Sequence, residues 1–350
     1  MSRALVATLA STFLVVSLHG QQTAPPRQRE DQGSFRFKSG VELINVTATV
    51  TDATGRFVPG LTRDDFLVWE DNQPQQVTHF SADRVPVSLG ILLDTSQSMA
   101  GEKFDNARNA IDKFLDDLGS ADDEFFLMQF NNAPHLVQDW TGDRRSLSRA
   151  LYGVAPRGGT AMYDAVADAV PLSQAGRNRK KAIVVISDGN DMTSRTPLAD
   201  VHQIIRQSEA LVYAVGIDCG TITSFRRSPF EQRRGPLPIP FPFPGGRRPF
   251  PPTMPQPQPP LNRNTIRGCG EPVDVAALRD LTDDSGGRTE IVRDSRDLNP
   301  ATAGIADELS RQYYLGYPAN GVKDGRWHTI RVEVKNKAYR VRARRGYVAT

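Results

Sequence analysis

The sequence predicts a doubly wound, mostly parallel α/β sheet inserted into a small β-sandwich built from the N- and C-terminal flanks. Strand-like apolar runs alternate with helix-like runs across residues 86–310, and the first strand, PVSLGILLD, is apolar almost throughout. A parallel sheet covered by helices on both faces favours such runs, because neither face meets water. Period-two alternation in the two flanks predicts the strands of the sandwich.

The elements of the α/β domain follow one another in order. After the first strand, FDNARNAIDKFLDDL has apolar residues at helical spacing, and DEFFLMQF predicts the second strand. Two helix-like segments come next, RRSLSRALYGV and AMYDAVADAVPLSQA, followed by the strand KAIVVIS, the helix LADVHQIIRQSEA and the strand LVYAVGI. VDVAALRDLTDDSGGRTEIV then predicts a helix, a Gly-Gly stop and a short strand. This alternation is typical of a doubly wound sheet.

The two flanks, residues 35–85 and 311–350, have the pattern of strands. DDFLVWEDNQPQQVTHF predicts two strands around a turn at Asp71-Asn72. Neither flank has enough strands for a core of its own, so we expect the two flanks to pair with each other. The alternating apolar residues that indicate the longer strands are Ile44, Val46, Ala48, Val50, Ile330, Val332 and Val334.

The N-terminus has the pattern of an export signal over residues 1–20. Arg3 precedes the apolar stretch ALVATLASTFLVVSL, and Gly20 is a small residue where cleavage can occur. The stretch is shorter than the roughly 20 residues that a membrane-spanning helix needs. We expect an exported protein, periplasmic or extracellular, whose mature chain has no transmembrane span and starts with a disordered linker at residues 21–34. An uncleaved N-terminal anchor is the alternative.

The two cysteines, Cys219 and Cys269, flank a segment rich in proline and arginine. Proline at this density prevents a lasting helix or central strand, so we predict a disordered insertion over residues 220–268. In an oxidising compartment a disulfide between Cys219 and Cys269 would close the base of this insertion. A zinc site is a poor alternative, because zinc needs about four ligands and no histidine cluster lies nearby.

Composition and motifs argue against several classes of function. The net charge is only +3, which by itself does not indicate a nucleic-acid partner. The sequence contains neither the G-x-x-x-x-G-K-[ST] phosphate loop nor the G-x-S-x-G nucleophile elbow. None of the histidines stands beside a motif that would make it a general base. We therefore expect a protein that is not an enzyme.

Oxygen donors gather where three segments of the α/β domain meet one edge of the sheet. Asp94 ends the first strand, with Ser96 and Ser98 in the turn after it; Thr160 precedes a helix in GGTAMYD; and Asp188 follows the strand KAIVVIS. Open α/β sheets bind ligands beyond the carboxyl ends of their strands. A donor set of carboxylates and hydroxyls suits Mg²⁺, Mn²⁺ or Ca²⁺. Taken singly, Ser96, Ser98 and Thr160 could instead cap helices, and Asp188-Gly189 could be an ordinary turn.

Two further acids, Asp191 and Asp218, lie near the same edge. We interpret both as loop acids without a direct role at the metal, although either could contribute to the surface around it.

These residues resemble a known pattern. Asp94-Thr95-Ser96-Gln97-Ser98 matches the D-x-S-x-S of the von Willebrand factor type A domain, and Thr160 and Asp188 stand where that family's metal-ion-dependent adhesion site has its threonine and second aspartate. VTDATGRFVPGLTRDDFLVWEDN, QYYLGY and RARRGY in the flanks are similar to exported bacterial proteins of the acidobacterial type that are described as related to this family.

The resemblance implies a division of labour among the five residues. Ser96 and Ser98 would bind the cation directly, Thr160 directly or through water, and Asp94 and Asp188 mostly through water. Mg²⁺ or Mn²⁺ is expected, with Ca²⁺ less favoured, and a carboxylate of a partner protein would fill the open position. The implied function is cation-dependent protein binding of an adhesion type. A metal-dependent hydrolase and a structural envelope protein with an empty site are the alternatives.

Overall fold

The computed structural model describes residues 43–118, 120–188, 191–218, 273–319 and 323–349. The predicted export signal, the linker, the proline-rich insertion and both cysteines lie outside these residues, so the expected disulfide stays a prediction. In the described part of the chain, no helix is long and apolar enough to cross a membrane.

The strands and helices alternate along the chain as the sequence predicts. The strands are β1 (Leu43–Thr51), β2 (Phe66–Glu70), β3 (Gln73–Gln75), β4 (His79–Ser81), β5 (Val87–Asp94), β6 (Glu124–Phe130), β7 (Pro134–Thr141), β8 (Lys180–Ser187), β9 (Leu211–Ile217), β10 (Thr289–Val292), β11 (Tyr313–Pro318), β12 (Trp327–Val334), β13 (Arg340–Ala343) and β14 (Gly346–Val348). The helices are α1 (Glu102–Leu118), α2 (Arg144–Tyr152), α3 (Met162–Gln174), α4 (Leu198–Arg206), α5 (Val275–Asp283) and α6 (Leu298–Arg311).

The central sheet has the strand order β10-β9-β8-β5-β6-β7 within the described residues. All neighbours in it are parallel except β6 and β7, which are antiparallel. Residues of β5 and β8 are buried along the whole of both strands, because helices cover both faces of the sheet. Gly90 in β5 is required by packing, since a Cβ there would lie 2.2 Å from the ring of Phe126.

Alternate residues of each central strand enter two separate cores. Leu89, Ile91 and Leu93 of β5 pack in the core that contains the buried faces of α1, α2 and α6. Leu92 packs in the opposite core, with α3, α4 and α5. Helices on both faces of a mostly parallel sheet confirm the predicted doubly wound α/β fold. Helix α6 and the antiparallel edge strand β7 were not predicted from the sequence.

In the part of the flanks that the structure describes, the strands form two four-stranded sheets, β13-β1-β11-β4 and β14-β12-β2-β3. In the first sheet β1, from before the α/β domain, pairs antiparallel with β11 and β13, from after it. In the second sheet β12 pairs antiparallel with β2. A single apolar core joins the inner faces of both sheets, so the predicted β-sandwich built from the two flanks is confirmed. Its buried residues are Ile44, Val46, Ala48, Val50, Phe66, Val68, Val77, Tyr313, Leu315, Tyr317, Ile330 and Val334.

A buried carboxylate on α6 joins the α/β domain to the sandwich. Oε1 of Glu308 accepts hydrogen bonds from Thr49 Oγ1 of β1 (3.0 Å), from the Tyr213 hydroxyl of β9 (2.9 Å) and from the guanidinium of Arg342 of β13. Oε2 forms an ion pair with Arg288 at 2.9 Å. Burial raises the pKa of Tyr213 well above its usual value, and the charge of Glu308 raises it further. The hydroxyl therefore stays protonated and donates to the carboxylate.

His328 makes the stability of the sandwich depend on pH. Its ring lies between two acids, with Nδ1 at 2.8 Å from Asp71 and Nε2 at 3.2 Å from Asp324. Burial would lower the pKa of His328, but the hydrogen bonds and charges of the two acids outweigh it and raise this pKa above its usual value. The stabilising contribution is therefore complete below the unfolded-state pKa of about 6.5 and is lost as the pH rises through the folded-state pKa.

We expect the unfolding free energy of the wild type to fall more steeply above about pH 6.5 than that of His328→Gln. Urea unfolding at several pH values between 6 and 9 measures the difference. His79→Gln, at an exposed position in β4, is the matched control and should follow the wild type. Parallel pH profiles for the wild type and His328→Gln would contradict the prediction.

Candidate metal centre at the carboxyl edge of the sheet

The candidate site lies where β5 and β8 end side by side. Asp94 is the last residue of β5, and Asp188 follows Ser187, the last residue of β8. The two strands are parallel neighbours, with Leu93 opposite Ile186. Their carboxyl ends therefore bring the two acids to one edge of the sheet, where open α/β sheets bind their ligands.

Asp94 is fully buried and is held from two sides. Its Oδ1 accepts a hydrogen bond from the backbone N–H of Ser96 (2.8 Å), and its Oδ2 accepts one from Ser187 Oγ (2.5 Å). Burial, and to a smaller extent the negative charge of Asp188, raise the pKa of Asp94. The hydrogen bonds to Asp94 oppose this effect, and the resulting pKa is about 6. A cation nearby would favour the ionised form.

The two serines of the D-x-S-x-S segment form a chain of hydroxyls that ends on the second acid. Ser96 Oγ lies 2.9 Å from Ser98 Oγ, and Ser98 Oγ donates to Asp188 Oδ1 at 2.8 Å. Ser96 and Asp188 are buried. The side-chain oxygens of Ser96, Ser98 and Asp188, from two loops, are thus in contact with one another.

Thr160 is brought to the same edge by a tightly folded loop. Gly158 has a φ of +77°, which favours glycine, and its carbonyl accepts a hydrogen bond from the N–H of Gln97 (3.0 Å). The carbonyl of Thr160 accepts from the N–H groups of Met192 (2.9 Å) and Thr193 (3.1 Å). Backbone hydrogen bonds therefore join the loop of Thr160 to the loops that follow β5 and β8.

The helix-capping alternatives are not supported for two of these residues. Ser96 precedes a short 3₁₀ turn, Gln97–Met99, but makes no side-chain cap hydrogen bond there. The N-cap of α3 is Ala161 rather than Thr160.

Asp191 has a structural role at the N-terminus of α3. Its Oδ2 accepts hydrogen bonds from the N–H of Tyr163 (2.8 Å) and from Ser194 Oγ (2.5 Å). Asp218 follows β9, and its N–H donates to the carbonyl of Val292 at 2.8 Å. Asp191 thus satisfies a backbone donor of the first helical turn.

Lys103 is a functional candidate that the sequence interpretation missed. Its ammonium forms an ion pair with Asp188 Oδ2 and donates to the carbonyl of Ser98 at 3.1 Å. The side chain is 16% exposed and that of Asp188 is 1% exposed. A lysine in the first turn of an amphipathic helix resembles any solvent-facing lysine. Only its position, five residues after Ser98, indicates in the sequence that Lys103 lies near the site.

Sequence comparison finds a family that is similar to the first part of the α/β domain. Residues 89–190 match the von Willebrand factor type A domain family. The inter-alpha-trypsin inhibitor heavy chain H2 of Sus scrofa is 25% identical over 173 residues, which are 44% of this chain and 18% of that protein. The chain spans about a fifth or less of the length of such curated relatives.

Two solved structures are also similar. A von Willebrand factor type A protein from Catenulispora acidiphila aligns over 88% of this chain and 72% of its own, with 13% identity and a TM-score of 0.47. The conserved hypothetical protein BatB from Bacteroides thetaiotaomicron aligns over 64% of this chain and 97% of its own, with 19% identity and a TM-score of 0.43. The sequence match at residues 89–190 is the finding that relates this part of the chain to the von Willebrand factor type A domain family.

Proposed function

We propose that the protein binds another protein through a divalent cation held at the carboxyl edge of the central sheet. The observation that carries this proposal is the contact of Ser96, Ser98 and Asp188 through their side-chain oxygens, with Asp94 and Thr160 at the same edge. Mg²⁺ or Mn²⁺ is the cation we propose.

The residues present fit such a cation. Carboxylate and hydroxyl oxygens are the donors that Mg²⁺ and Mn²⁺ accept, and no soft ligand accompanies them. Among the described residues, no group of three or more His, Cys, Asp or Glu is placed to hold a metal ion. The proposed site therefore combines two carboxylates with hydroxyls. The ammonium of Lys103 on Asp188 shows that the edge already accommodates a positive charge.

Each residue has a proposed role. Ser96 and Ser98 would bind the cation directly, and Thr160 directly or through water. Asp94 and Asp188 would supply the negative charge, mostly through water. The hydrogen bond from Ser187 and that from the Ser96 N–H hold the Asp94 carboxylate in one orientation. When bound, the cation supplies a positive charge with an open coordination position.

The proposed partner is a protein with an exposed Asp or Glu. A hard cation held mainly by neutral hydroxyls remains electron-poor, so a partner carboxylate is the natural ligand for its open position. The proposed setting is outside the cytoplasm, periplasmic or extracellular, which the apolar stretch after Arg3 supports.

Retention of envelope proteins on the immobilised protein tests this function. We expect retention with Mg²⁺, loss of it with a chelator, and about tenfold weaker retention by Ser98→Ala and Thr160→Ala, because each removes a hydroxyl from the site. Amidation of the carboxyl groups in the extract should abolish retention. Melting temperatures should change little, since the hydroxyls lie at the edge of the sheet rather than in its core.

Thr54→Ala, in a turn of the sandwich, is the control and should retain the same proteins as the wild type. The adhesion-type mechanism would be ruled out if retention persisted in the chelator. It would also be ruled out if Ser98→Ala and Thr160→Ala both retained the proteins as strongly as the wild type.

A further inference from the structure

The ammonium of Lys103 lies against the same oxygens that the proposed cation would need. It contacts Oδ2 of Asp188, whose Oδ1 accepts the hydrogen bond from Ser98, and it also contacts the carbonyl of Ser98. Each oxygen of Asp188 therefore already accepts from one donor, the Ser98 hydroxyl on Oδ1 and the Lys103 ammonium on Oδ2. A cation that draws on the charge of Asp188 has to compete with this ion pair.

The position of Lys103 in α1 is unfavourable for the helix itself. Helix α1 begins at Glu102, so Lys103 lies in the first turn, where the helix dipole favours acidic residues. The ion pair with Asp188 compensates for that cost, because a buried carboxylate without a counter-charge is far more unfavourable. The lysine at this position therefore stabilises Asp188 rather than the helix.

A lysine is also suited to leave the site. Its ammonium sits on a flexible four-carbon stem, and the side chain is partly exposed, so it can turn to solvent without unfolding the helix. The carboxylate that pairs with Lys103 also accepts the hydrogen bond that ends the hydroxyl chain of Ser96 and Ser98.

We propose that Lys103 is a built-in competitor that sets the affinity of this site for divalent cations, a role that rests on the proposed function. The ammonium neutralises Asp188 when no metal is bound and must be displaced when a metal binds. Cations that bind the site weakly, or that are present at low concentration, therefore do not occupy it.

Titration calorimetry of the full chain with MgCl₂ tests this role. Lys103→Met keeps the length of the side chain and removes the charge, and we expect it to bind Mg²⁺ about tenfold more tightly, which corresponds to the loss of one charge-assisted hydrogen bond. Lys103→Arg keeps a cation and should stay close to the wild type. Lys113→Met, an exposed lysine of the same helix, is the matched control and should not change the affinity.

Thermal melting provides a second measurement that does not depend on a partner. Without metal, Lys103→Met should melt below the wild type because Asp188 loses its counter-charge, and Mg²⁺ should raise its melting temperature by more than that of the wild type. If Lys103→Met does not fold, Lys103→Gln takes its place. Equal Mg²⁺ affinities for the wild type and the uncharged variant would overturn the role of Lys103 alone. Absence of Mg²⁺ binding in every protein would overturn the metal site and this role together.

Discussion

Asp188→Ala is expected to weaken Mg²⁺ binding by about a hundredfold or more. The substitution removes one of the two carboxylates of the site and the acceptor of the Ser98 hydroxyl, and it leaves the ammonium of Lys103 without its partner. Calorimetric titration with MgCl₂ and with MnCl₂ measures the effect.

Two variants separate the loss of a ligand from the loss of charge or fold. Asp188→Asn can still accept the hydrogen bond from Ser98 and should fold, but it lacks the charge, so its affinity should also be low. Asp117→Ala changes the net charge equally at an exposed position near the end of α1 and should bind as the wild type does. Wild-type affinity in Asp188→Ala would contradict the assignment of Asp188 to the site.

Glu308→Ala is expected to lower the free energy of unfolding by about 3–5 kcal/mol, the usual effect of removing one partner from a buried ion pair. The side chain of Glu308 is 8% exposed and accepts from residues of β1, β9 and β13. Its loss leaves the Tyr213 hydroxyl without its acceptor. Arg342 and Arg288 each lose one of their acceptors and keep the Gly286 carbonyl and the Glu290 carboxylate, respectively. Urea unfolding followed by circular dichroism measures the change.

Glu333→Ala is the matched control for this prediction. Glu333 also forms ion pairs with two cations, Arg331 and Lys337, but its side chain is 31% exposed. Such surface pairs contribute less than about 1 kcal/mol, so the control should unfold almost as the wild type does. Equal destabilisation by the two substitutions would show that burial of Glu308 does not determine its importance.

The central strands and the cores could be predicted from the sequence because their patterns are set by burial. A strand such as β5, covered on both faces, must be apolar, and a helix such as α1 must place apolar residues on one side. Strand β7 has neither signal, because it lies at the edge of the sheet, begins at Pro134 and contains no fully buried residue. Helix α6 has apolar residues at helical spacing, including Leu298, Ile305 and Leu309. The sequence interpretation ended the domain there without recognising a helix.

The members of the candidate site could be predicted, but their relations could not. Asp94, Ser96 and Ser98 are close in sequence and follow a recognisable strand, so their approach to one edge follows from the fold class. The ion pair between Lys103 and Asp188 depends on the path of two loops, which no periodicity encodes. Asp191 looked like a loop acid near the site, and its bonds to Tyr163 and Ser194 appear only when the chain folds back on α3.

The pairing of β1 with β11 has a consequence for the order of folding. Leu43 pairs with Pro318, so β1 has to wait for a strand that is made much later in synthesis. The helices and parallel strands between them involve shorter separations along the chain, and contacts of that kind form sooner. The domain that carries the candidate site therefore gains its structure while β1, with its buried residues Val46, Ala48 and Val50, is still without a partner. An unpaired apolar strand can associate with the same strand of another chain and so promote aggregation. Pairing with β11 removes this possibility.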